Sequence, residues 1–302
     1  MSETIPSPTD IGALANRINL HTRDAHNKID KAMSINIAFA LRHRFIYEDI
    51  IKTYFEIFSK IEDKIDSIMA TDTPTSKILH SFYMDEFRRK PQLLKDLNIL
   101  RIDPNYVNTT WLQTRPNLQT FLNFIDTETD KDPITILAYC HVLYLALFAG
   151  GRVIRSTLYK NLGFLPNFDH LTKEQMIEKG TNFFRFAKTT DEENKLRWKY
   201  KKNYELNTRT QLTEEQKLTV INTASEIFNL NTACLFEIKD INKKELMTKF
   251  DFKFLTFLIE EWKFNNTVIS QKSKKNILFG IAFIQSLLIY FFIKKIIFNY
   301  FA

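Results

Sequence analysis

Two residues near the amino terminus have the types and spacing of a metal ligand and its partner. His26 lies at the edge of the apolar face of a predicted helix, and Asp30 follows it at the i+4 position, where a carboxylate can meet the imidazole. A neutral imidazole that donates its other N–H to a carboxylate is a common ligand arrangement. The remaining histidines show no paired spacing typical of zinc sites. A single protein ligand fits haem iron, whose equatorial ligands come from the porphyrin. The alternative is a surface histidine beside an acid.

A pair of glycines interrupts a long apolar segment that begins at Ile134. Gly150 and Gly151 stand side by side, and the helical pattern continues past them through residues 153–158. Glycine inside a helix costs ~1 kcal/mol relative to alanine, so the pair indicates a purpose in a chain with only six glycines. One interpretation is a helix that bends there and lays its backbone on a flat ligand. The alternative is a helix end or close packing between helices. We predict a buried core helix rather than a membrane span.

Basic residues are concentrated in residues 195–202, where five of eight are Lys or Arg. Such a run is typical of a solvated helix face. It also suits a surface that attracts an acidic protein partner. The residues alone leave both interpretations open.

The composition narrows the fold that must position these residues. Of 302 residues, 44% are hydrophobic and 14% aromatic, which excludes a disordered chain. Six glycines and eight prolines are too few for a sandwich, a barrel or a Rossmann-type domain, so we predict an all-α fold. Cys140 and Cys234 lie in apolar surroundings and indicate a reducing compartment. The formal net charge of +7 favours anionic ligands, acidic partners or membrane surfaces without selecting among them.

Hydrophobic periodicity predicts one helical domain over residues 10–265 after a disordered lead, 1–9. The predicted helices cover the first segment after residue 10 and then 42–70, 76–98, 117–126, the stretch from 133, 172–186, 191–206, 213–240 and 243–264. Residues 99–132 are otherwise predicted to be loops, and Asp132 and Pro133 are predicted to cap and open the next helix.

The carboxyl-terminal segment is predicted to be a transmembrane tail anchor. Residues 277–293 carry no charge, a basic linker (266–276) precedes them, and a short tail (294–302) beginning with two lysines follows. A single span at this position, with the basic cluster upstream, predicts that residues 1–270 face the cytosol. The short span suits a thin membrane such as the endoplasmic reticulum. The alternative is a buried carboxyl-terminal helix.

Four segments in the same order resemble motifs of eukaryotic haem oxygenases. Residues 22–28 (Thr-Arg-Asp-Ala-His-Asn-Lys) resemble their proximal-helix motif, and residues 144–151 (Tyr-Leu-Ala-Leu-Phe-Ala-Gly-Gly) resemble their distal-helix motif. Residues 180–186 and 228–231 also match the family's pattern. With the predicted anchor, the resemblance covers almost the whole chain and is nearest to fungal members. It implies an all-helical domain that sandwiches haem between the first helix and a kinked distal helix.

The resemblance also implies an activity and its residues. The enzyme would open haem to biliverdin, releasing iron and carbon monoxide, with dioxygen and with electrons from NADPH through a flavoprotein reductase. His26 would be the axial iron ligand, and Gly150 and Gly151 would form the distal backbone. Residues placed against haem or its propionates would be Arg23, Asp30, His141, Tyr144, Lys195, Lys199 and Phe228. The implied partners are a cytochrome reductase and the endoplasmic reticulum bilayer, with no nucleic acid.

This chain departs from the family pattern in the distal helix. Ala146 and Leu147 stand where the family has glycine and then an aspartate that anchors distal water. Leucine cannot hydrogen-bond water, so the departure favours an alternative function as a haem-binding sensor, carrier or weak peroxidase. His141 replaces a tyrosine, and Asn19 a lysine, near the propionates. A further alternative is a tail-anchored helical bundle without haem.

Overall fold

The computed structural model describes residues 6–7, 9–25, 27, 43–108, 110–160, 171–254 and 256–257. Across these ranges every regular element is a helix and no strand occurs, which confirms the predicted all-α class. The chain divides into two units, Met1–Lys244 and Glu245–Ala302. His26, Asp30 and the predicted anchor at 277–293 lie outside the described residues.

Among the described residues, the first half of the chain forms five α-helices. They are α1 (Leu14–His21), α2 (Arg44–Met69), α3 (Pro74–Phe82), α4 (Lys90–Leu100) and α5 (Pro116–Lys131). The predicted helix over 76–98 is divided into α3 and α4, because Tyr83 is extended and Pro91 lies in the first turn of α4. A short 3₁₀ turn, Asp85–Phe87, lies between them. The helix predicted at 117–126 is longer in the structure, since α5 continues to Lys131.

The glycine pair lies in a composite helix that changes type along its length. It begins with a 3₁₀ turn (Pro133–Thr135) and continues as α6 (Ile136–Tyr139), a π-helical segment (Cys140–Tyr144) and α7 (Leu145–Lys160). As predicted, the Asp132 carboxylate caps this start by accepting from the backbone N–H of Ile134, at 3.1 Å. Among the described residues, Pro133–Arg152 is the helix long and apolar enough to cross a membrane, yet 78% of its most apolar stretch is buried inside the protein. The burial agrees with a core helix.

Two long helices with reciprocal amino-terminal caps follow. After α8 (Lys173–Lys179) and a 3₁₀ turn (Asn182–Phe184) come α9 (Thr190–Gln211), α10 (Glu214–Ile241) and α11 (Lys243–Leu246). Thr189 with Glu192, and Thr213 with Gln216, form capping boxes that fix where α9 and α10 begin. Helical residues resume at 250, in the second unit.

The core of the first unit surrounds α2, which packs against α3, α4, α5 and α10. Its buried aromatic side chains meet edge to face, as do Phe58 and Tyr144 at 5.2 Å between ring centroids. Helix α1 packs on α9 and α10 through buried Leu14, Ala15 and Ile18. The core thereby brings α1 and the composite helix into one unit.

Candidate functional site

Helix α1 is held against α9 and α10 by its buried apolar face and by an ion pair. Arg17 pairs with Glu214 at the start of α10, at 2.7 Å. Residues 23–25 and 27 are helical as well, and Arg23 is exposed there. Asn19 lies in the last turn of α1, which ends at His21 with Thr22 as its carboxyl-terminal cap.

A hydrogen bond joins α1 to the composite helix. The Nε2 atom of His141 lies 3.3 Å from Oδ1 of Asn19, and the His141 ring tilts against Tyr204 at 5.6 Å. His141 is 4% exposed, and its Nδ1 atom has no partner among the described residues. Whether Nδ1 carries a proton follows the orientation of the Asn19 amide, so His141 can present either a donor or an acceptor. A buried polar atom without a partner is a position where a ligand or a water gains a hydrogen bond.

The cation that accompanies His141 is Lys201. Burial, together with the charge of Lys201, lowers the pKa of His141 to about 3, so the imidazole is neutral at physiological pH. Burial and neighbouring Arg197 lower the pKa of Lys201 itself. Arg197 and Lys201 are four residues apart on α9 and therefore share a face. Both residues lie in the basic run 195–202, but the resemblance implied a haem contact for neither of them.

Lys195 and Lys199 occupy a different face of α9. Both are exposed, and with Asn194 and Trp198 they line a shallow groove. The Nζ atom of Lys199 lies 3.3 Å from the sulfur of Met84. Positions 195 and 199 are each two residues from 197 and 201, which is about 200° around a helix. The structure therefore does not bring Lys195 and Lys199 to His141.

Small side chains form the open face of α7. Ala146 and Ala149 are exposed although most of the composite helix is buried, and Gly150 is half-buried. A Cβ built at Gly150 meets nothing within 4 Å, so its backbone borders open space. These three positions follow i, i+3, i+4 spacing and share one face, with half-buried Leu147 beside it. These three positions place no large side chain on this face.

Gly151 has the opposite surroundings. It is buried, and a Cβ there would lie 2.9 Å from the carbonyl oxygen of Phe184. Close packing, one interpretation of the glycine pair, is confirmed at Gly151. Gly150 borders open space, and a flat ligand lying on its backbone stays a prediction. The α-helix continues through both glycines, and the change of helix type lies upstream, at Cys140–Tyr144.

The segment that touches Gly151 is fixed from α4. The Asp96 carboxylate accepts the backbone N–H groups of Asn182 and Phe183 at 2.9 and 2.8 Å, and burial raises its pKa to about 6. Fully buried Arg89 lies 4.0 Å from the centroid of the Phe186 ring and donates to carbonyl oxygens of Glu86, Phe87, Phe183 and Arg185. These contacts hold residues 180–186 in place where they pack against α7.

Two further predicted haem contacts, Tyr144 and Phe228, are not part of this open face. Tyr144 is fully buried, with its hydroxyl 3.0 Å from that of Tyr83 and donating to Glu62 at 3.2 Å. Its hydrogen-bonding capacity is thus used inside the core. Phe228 is half-buried on α10.

The Heme oxygenase family model matches residues 12–237, which is most of the chain and includes α1, the composite helix and α9. The chain belongs to the haem oxygenase family. This haem oxygenase is 46% identical over 308 residues to the Heme-binding protein HMX1 of Saccharomyces cerevisiae, covering 96% of each chain. It is 22% identical over 213 residues to the heme oxygenase of Rhodella violacea, covering 69% of this chain and 79% of that protein. These matches confirm the resemblance and assign the chain to the haem-degrading oxidoreductases.

Solved structures share the fold at low sequence identity. Heme oxygenase-2 from Synechocystis, solved with heme and NO, superimposes with a TM-score of 0.61 at 18% identity, over 81% of this chain and 92% of that one. The heme oxygenase from Leptospira interrogans gives a TM-score of 0.57 at 18% identity, over 74% and 98%.

The described residues of this haem oxygenase fit haem at both its apolar and its anionic parts. The face formed by Ala146, Ala149 and Gly150 suits a flat ring. At the Asn19 end of α1, the Lys201 cation suits a carboxylate edge. The unpartnered Nδ1 of His141 donates to a carboxylate only where the Asn19 amide turns its oxygen away from Nε2. Beside this face stands the apolar, half-buried Leu147.

Proposed function

We propose that this haem oxygenase opens haem to biliverdin, with release of iron and carbon monoxide, using dioxygen and electrons from NADPH supplied by a flavoprotein reductase. The observation that carries the proposal is the contact between Asn19 and His141, at 3.3 Å. It joins α1 and the composite helix, the two helices between which members of the family are expected to hold haem.

The iron-binding residue of the proposal is His26, with Asp30 orienting its ring. His26 would lie seven positions after Asn19, beyond the end of α1 at His21. Gly150 would border haem from the other side, with Ala146 and Ala149. Gly151 supports this arrangement from behind by its contact with Phe184.

Haem, when bound, supplies the iron that activates dioxygen and the ring carbon that is oxidised. The chain's residues bind and orient it. We propose that Lys201 and Arg197, rather than Lys195 and Lys199, hold the propionates, with His141 as a neutral hydrogen-bonding partner. Fixing the carboxylate edge at this end of α1 selects which ring edge faces α7, and hence the biliverdin isomer.

Proton delivery is the step that this chain must perform differently. Leu147 is half-buried beside the small-residue face and offers no hydrogen bond to a distal water. Water that moves protons there would have to be held by backbone groups of α7. An apolar side chain at this position also excludes water from part of the site.

Leu147 is also the observation that favours a second function, a haem-binding sensor, carrier or weak peroxidase on the same fold. Such a protein would bind haem through the same residues without opening the ring efficiently. The Leu147→Asp variant separates the two functions. It would raise biliverdin production strongly in a binder and only slightly in an efficient oxygenase.

The deciding experiment uses the full chain in lipid nanodiscs, loaded with haem. NADPH and a cytochrome reductase are added, and the visible spectrum is followed with and without catalase. We expect the haem band to disappear and biliverdin to form whether or not catalase is present. The His26→Ala variant should fold but not turn over. Haem bleaching that catalase prevents would support the second function, a haem-binding protein without efficient ring opening. A His26→Ala variant with normal haem loss would refute the assignment of the iron ligand.

We also propose a location and a docking surface. Residues 277–293 would anchor the chain in the endoplasmic reticulum membrane with residues 1–270 in the cytosol. The groove at Lys195, Trp198 and Lys199 would dock the acidic reductase, and Lys202 adds a cation 4.7 Å from the Trp198 ring centroid.

A further inference from the structure

The second unit carries a short helix whose outward face is aromatic. Residues 250–254 and 256–257 are helical, and the side chains of Phe250, Phe254 and Phe257 are 82%, 50% and 56% exposed. Exposed Lys253 lies among them, which completes the spacing i, i+3, i+4, i+7 of a single helix face. The rings of Phe250 and Phe254 stack at 6.0 Å between centroids.

The same helix also buries a phenylalanine, so it has two apolar sides. Phe252 is 4% exposed, which means that the burial side of the helix is already occupied. A contiguous outward face of three phenylalanines is costly in water, and such faces mark interaction sites. The face therefore calls for an apolar partner outside the described residues.

Sequence and charge indicate that this partner is a lipid surface. The uncharged segment 277–293 begins about 20 residues after Phe257, and a chain of about 20 residues spans at most ~70 Å. A helix tethered this close to a membrane span can rest on the same bilayer. Lys243, Lys244, Lys249 and Lys253 precede or join the face, and lysines near a membrane are attracted to anionic headgroups.

We propose that residues 250–257 form an interfacial helix that lies on the bilayer into which the anchor inserts. The three phenylalanine rings enter the boundary between headgroups and acyl chains, while the ammonium group of Lys253 extends to the phosphates. The proposal uses the predicted anchor as a tether and is independent of the haem chemistry. A second copy of the chain is the rival occupant of this face.

The test is a cysteine scan of the full chain. Phe250→Cys, Phe254→Cys and Phe257→Cys are each labelled with an environment-sensitive fluorophore, with exposed Thr248→Cys as the matched control and Leu287→Cys as a reporter of the anchor. Native Cys140 and Cys234 are buried and burial raises the pKa of each to about 12, so they react slowly. The labelled proteins are reconstituted in phosphatidylcholine–phosphatidylserine vesicles that carry a nitroxide lipid, shallow for positions 248–257 and placed deep in the acyl chains for position 287.

We expect quenching by the nitroxide lipid at positions 250, 254 and 257 that is at least about twofold stronger than at 248, as a helix lying in the interface requires. The double variant Phe250→Ser/Phe257→Ser should reduce quenching at a label on position 254. Quenching at 287 but not at 250, 254 and 257 would overturn the interfacial helix while keeping the anchor.

Three further outcomes are decisive. Equal quenching at 248 and at the three phenylalanine positions would refute a specific face. Crosslinking between labelled positions of two chains, without lipid quenching, would assign the face to a second copy and refute the proposal. Quenching at the three positions without quenching at 287 would support the interfacial helix and remove the anchor.

Discussion

Gly150 and Gly151 are neighbours with different functions in the structure. At Gly150 the backbone borders open space, whereas at Gly151 it packs on the carbonyl oxygen of Phe184. A methyl group therefore has room at one position and collides at the other. Substituting alanine at each glycine therefore tests the open position and the packed position separately.

We expect Gly151→Ala to destabilise the apoprotein by ~1–3 kcal/mol, because its Cβ would lie 2.9 Å from a backbone oxygen that is held in place. Gly150→Ala should fold at least as well as the native chain, since alanine gains ~1 kcal/mol of helix propensity. It should weaken haem binding, since the methyl group lies on the proposed haem face. Thermal unfolding of the apoprotein and haem titration measure the two effects. Equal stability of both variants would contradict this division.

The charge state of His141 predicts a pH dependence of stability. Its pKa is about 3 in the folded protein and 6.5 in its ordinary state. Between these values the unfolded chain binds a proton that the folded protein does not, so stability falls as the pH drops below about 6.5, by up to ~1.4 kcal/mol per pH unit. His141→Gln keeps an amide that can bond Asn19 but removes this titration. Denaturant unfolding at pH 7 and pH 5 should therefore show a smaller loss for the variant, and an unchanged loss would refute a neutral buried His141.

Lys201 and Lys199 form a matched pair for testing the propionate contact. Lys201→Ala should lower haem affinity about tenfold, the equivalent of ~1.4 kcal/mol for one lost charge-assisted hydrogen bond. Lys199→Ala should change the affinity by less than about twofold, because an exposed cation contributes little. Haem titration of the apoproteins by absorbance gives both values. A larger loss of haem affinity in Lys199→Ala than in Lys201→Ala would show that Lys195 and Lys199 hold the propionates instead.

At the scale of elements, buried charges fix how the helices join. The Asp49 carboxylate on α2 accepts from Arg115 at 2.7 Å, from Trp111 at 3.2 Å and from Asn242 at 2.7 Å. Asp49 and Arg115 are 6% and 4% exposed. One carboxylate thus ties α2 to the start of α5 and to the end of α10, the helices that frame the core.

Asp49→Ala should destabilise the fold by ~3–5 kcal/mol, because it leaves the Arg115 guanidinium buried without its carboxylate. Asp130→Ala removes an ion pair with Lys64 at 2.6 Å whose aspartate is 69% exposed, and it should cost less than ~1 kcal/mol. Denaturant unfolding of the two variants provides the comparison. Similar losses would mean that Asp49 does not join these helices.

At the scale of the whole molecule, α9 separates two kinds of basic surface. One face carries Lys201, whose charge acts on His141, with Arg197 one turn away, and the other presents Lys195, Lys199 and exposed Trp198 to solvent. A single basic run in the sequence therefore provides one surface for a ligand and one for a protein partner.

Lys195→Glu/Lys199→Glu should raise the KM for the reductase about tenfold, with a stronger effect at low ionic strength, because steering between opposite charges is screened by salt. Haem titration should be unchanged, since this face does not meet His141. Steady-state haem loss against reductase concentration at two salt concentrations measures the effect. A fall in haem affinity with an unchanged KM would assign these lysines to haem instead.

Local sequence features predicted much of the fold. Sparse glycine and proline and apolar residues at helical spacing predicted the helices, and Asp132 with Pro133 marked where the composite helix begins. The split between α3 and α4 was not predicted, although Pro91 marks the start of α4 locally. The end of α8 at Lys179 was not predicted because the segment after it is held by Asp96 and Arg89, which are distant in the sequence. The anchor and the iron ligand stay predictions.

The amino-acid sequence by itself determined the helical class, the family and the order of its motifs, because composition, periodicity and motif spacing are properties of the chain. Only the tertiary structure decided which side of α9 faces His141, that Asn19 meets it, and that Gly150 is open where Gly151 is packed. The sequence does not show which of the five basic residues in 195–202 face the protein and which face solvent. Buried Tyr200 and Tyr204 decide this, because they fix the rotation of α9 against its neighbours. A residue's surroundings are set by which helices pack on it, and that packing joins residues more than a hundred positions apart.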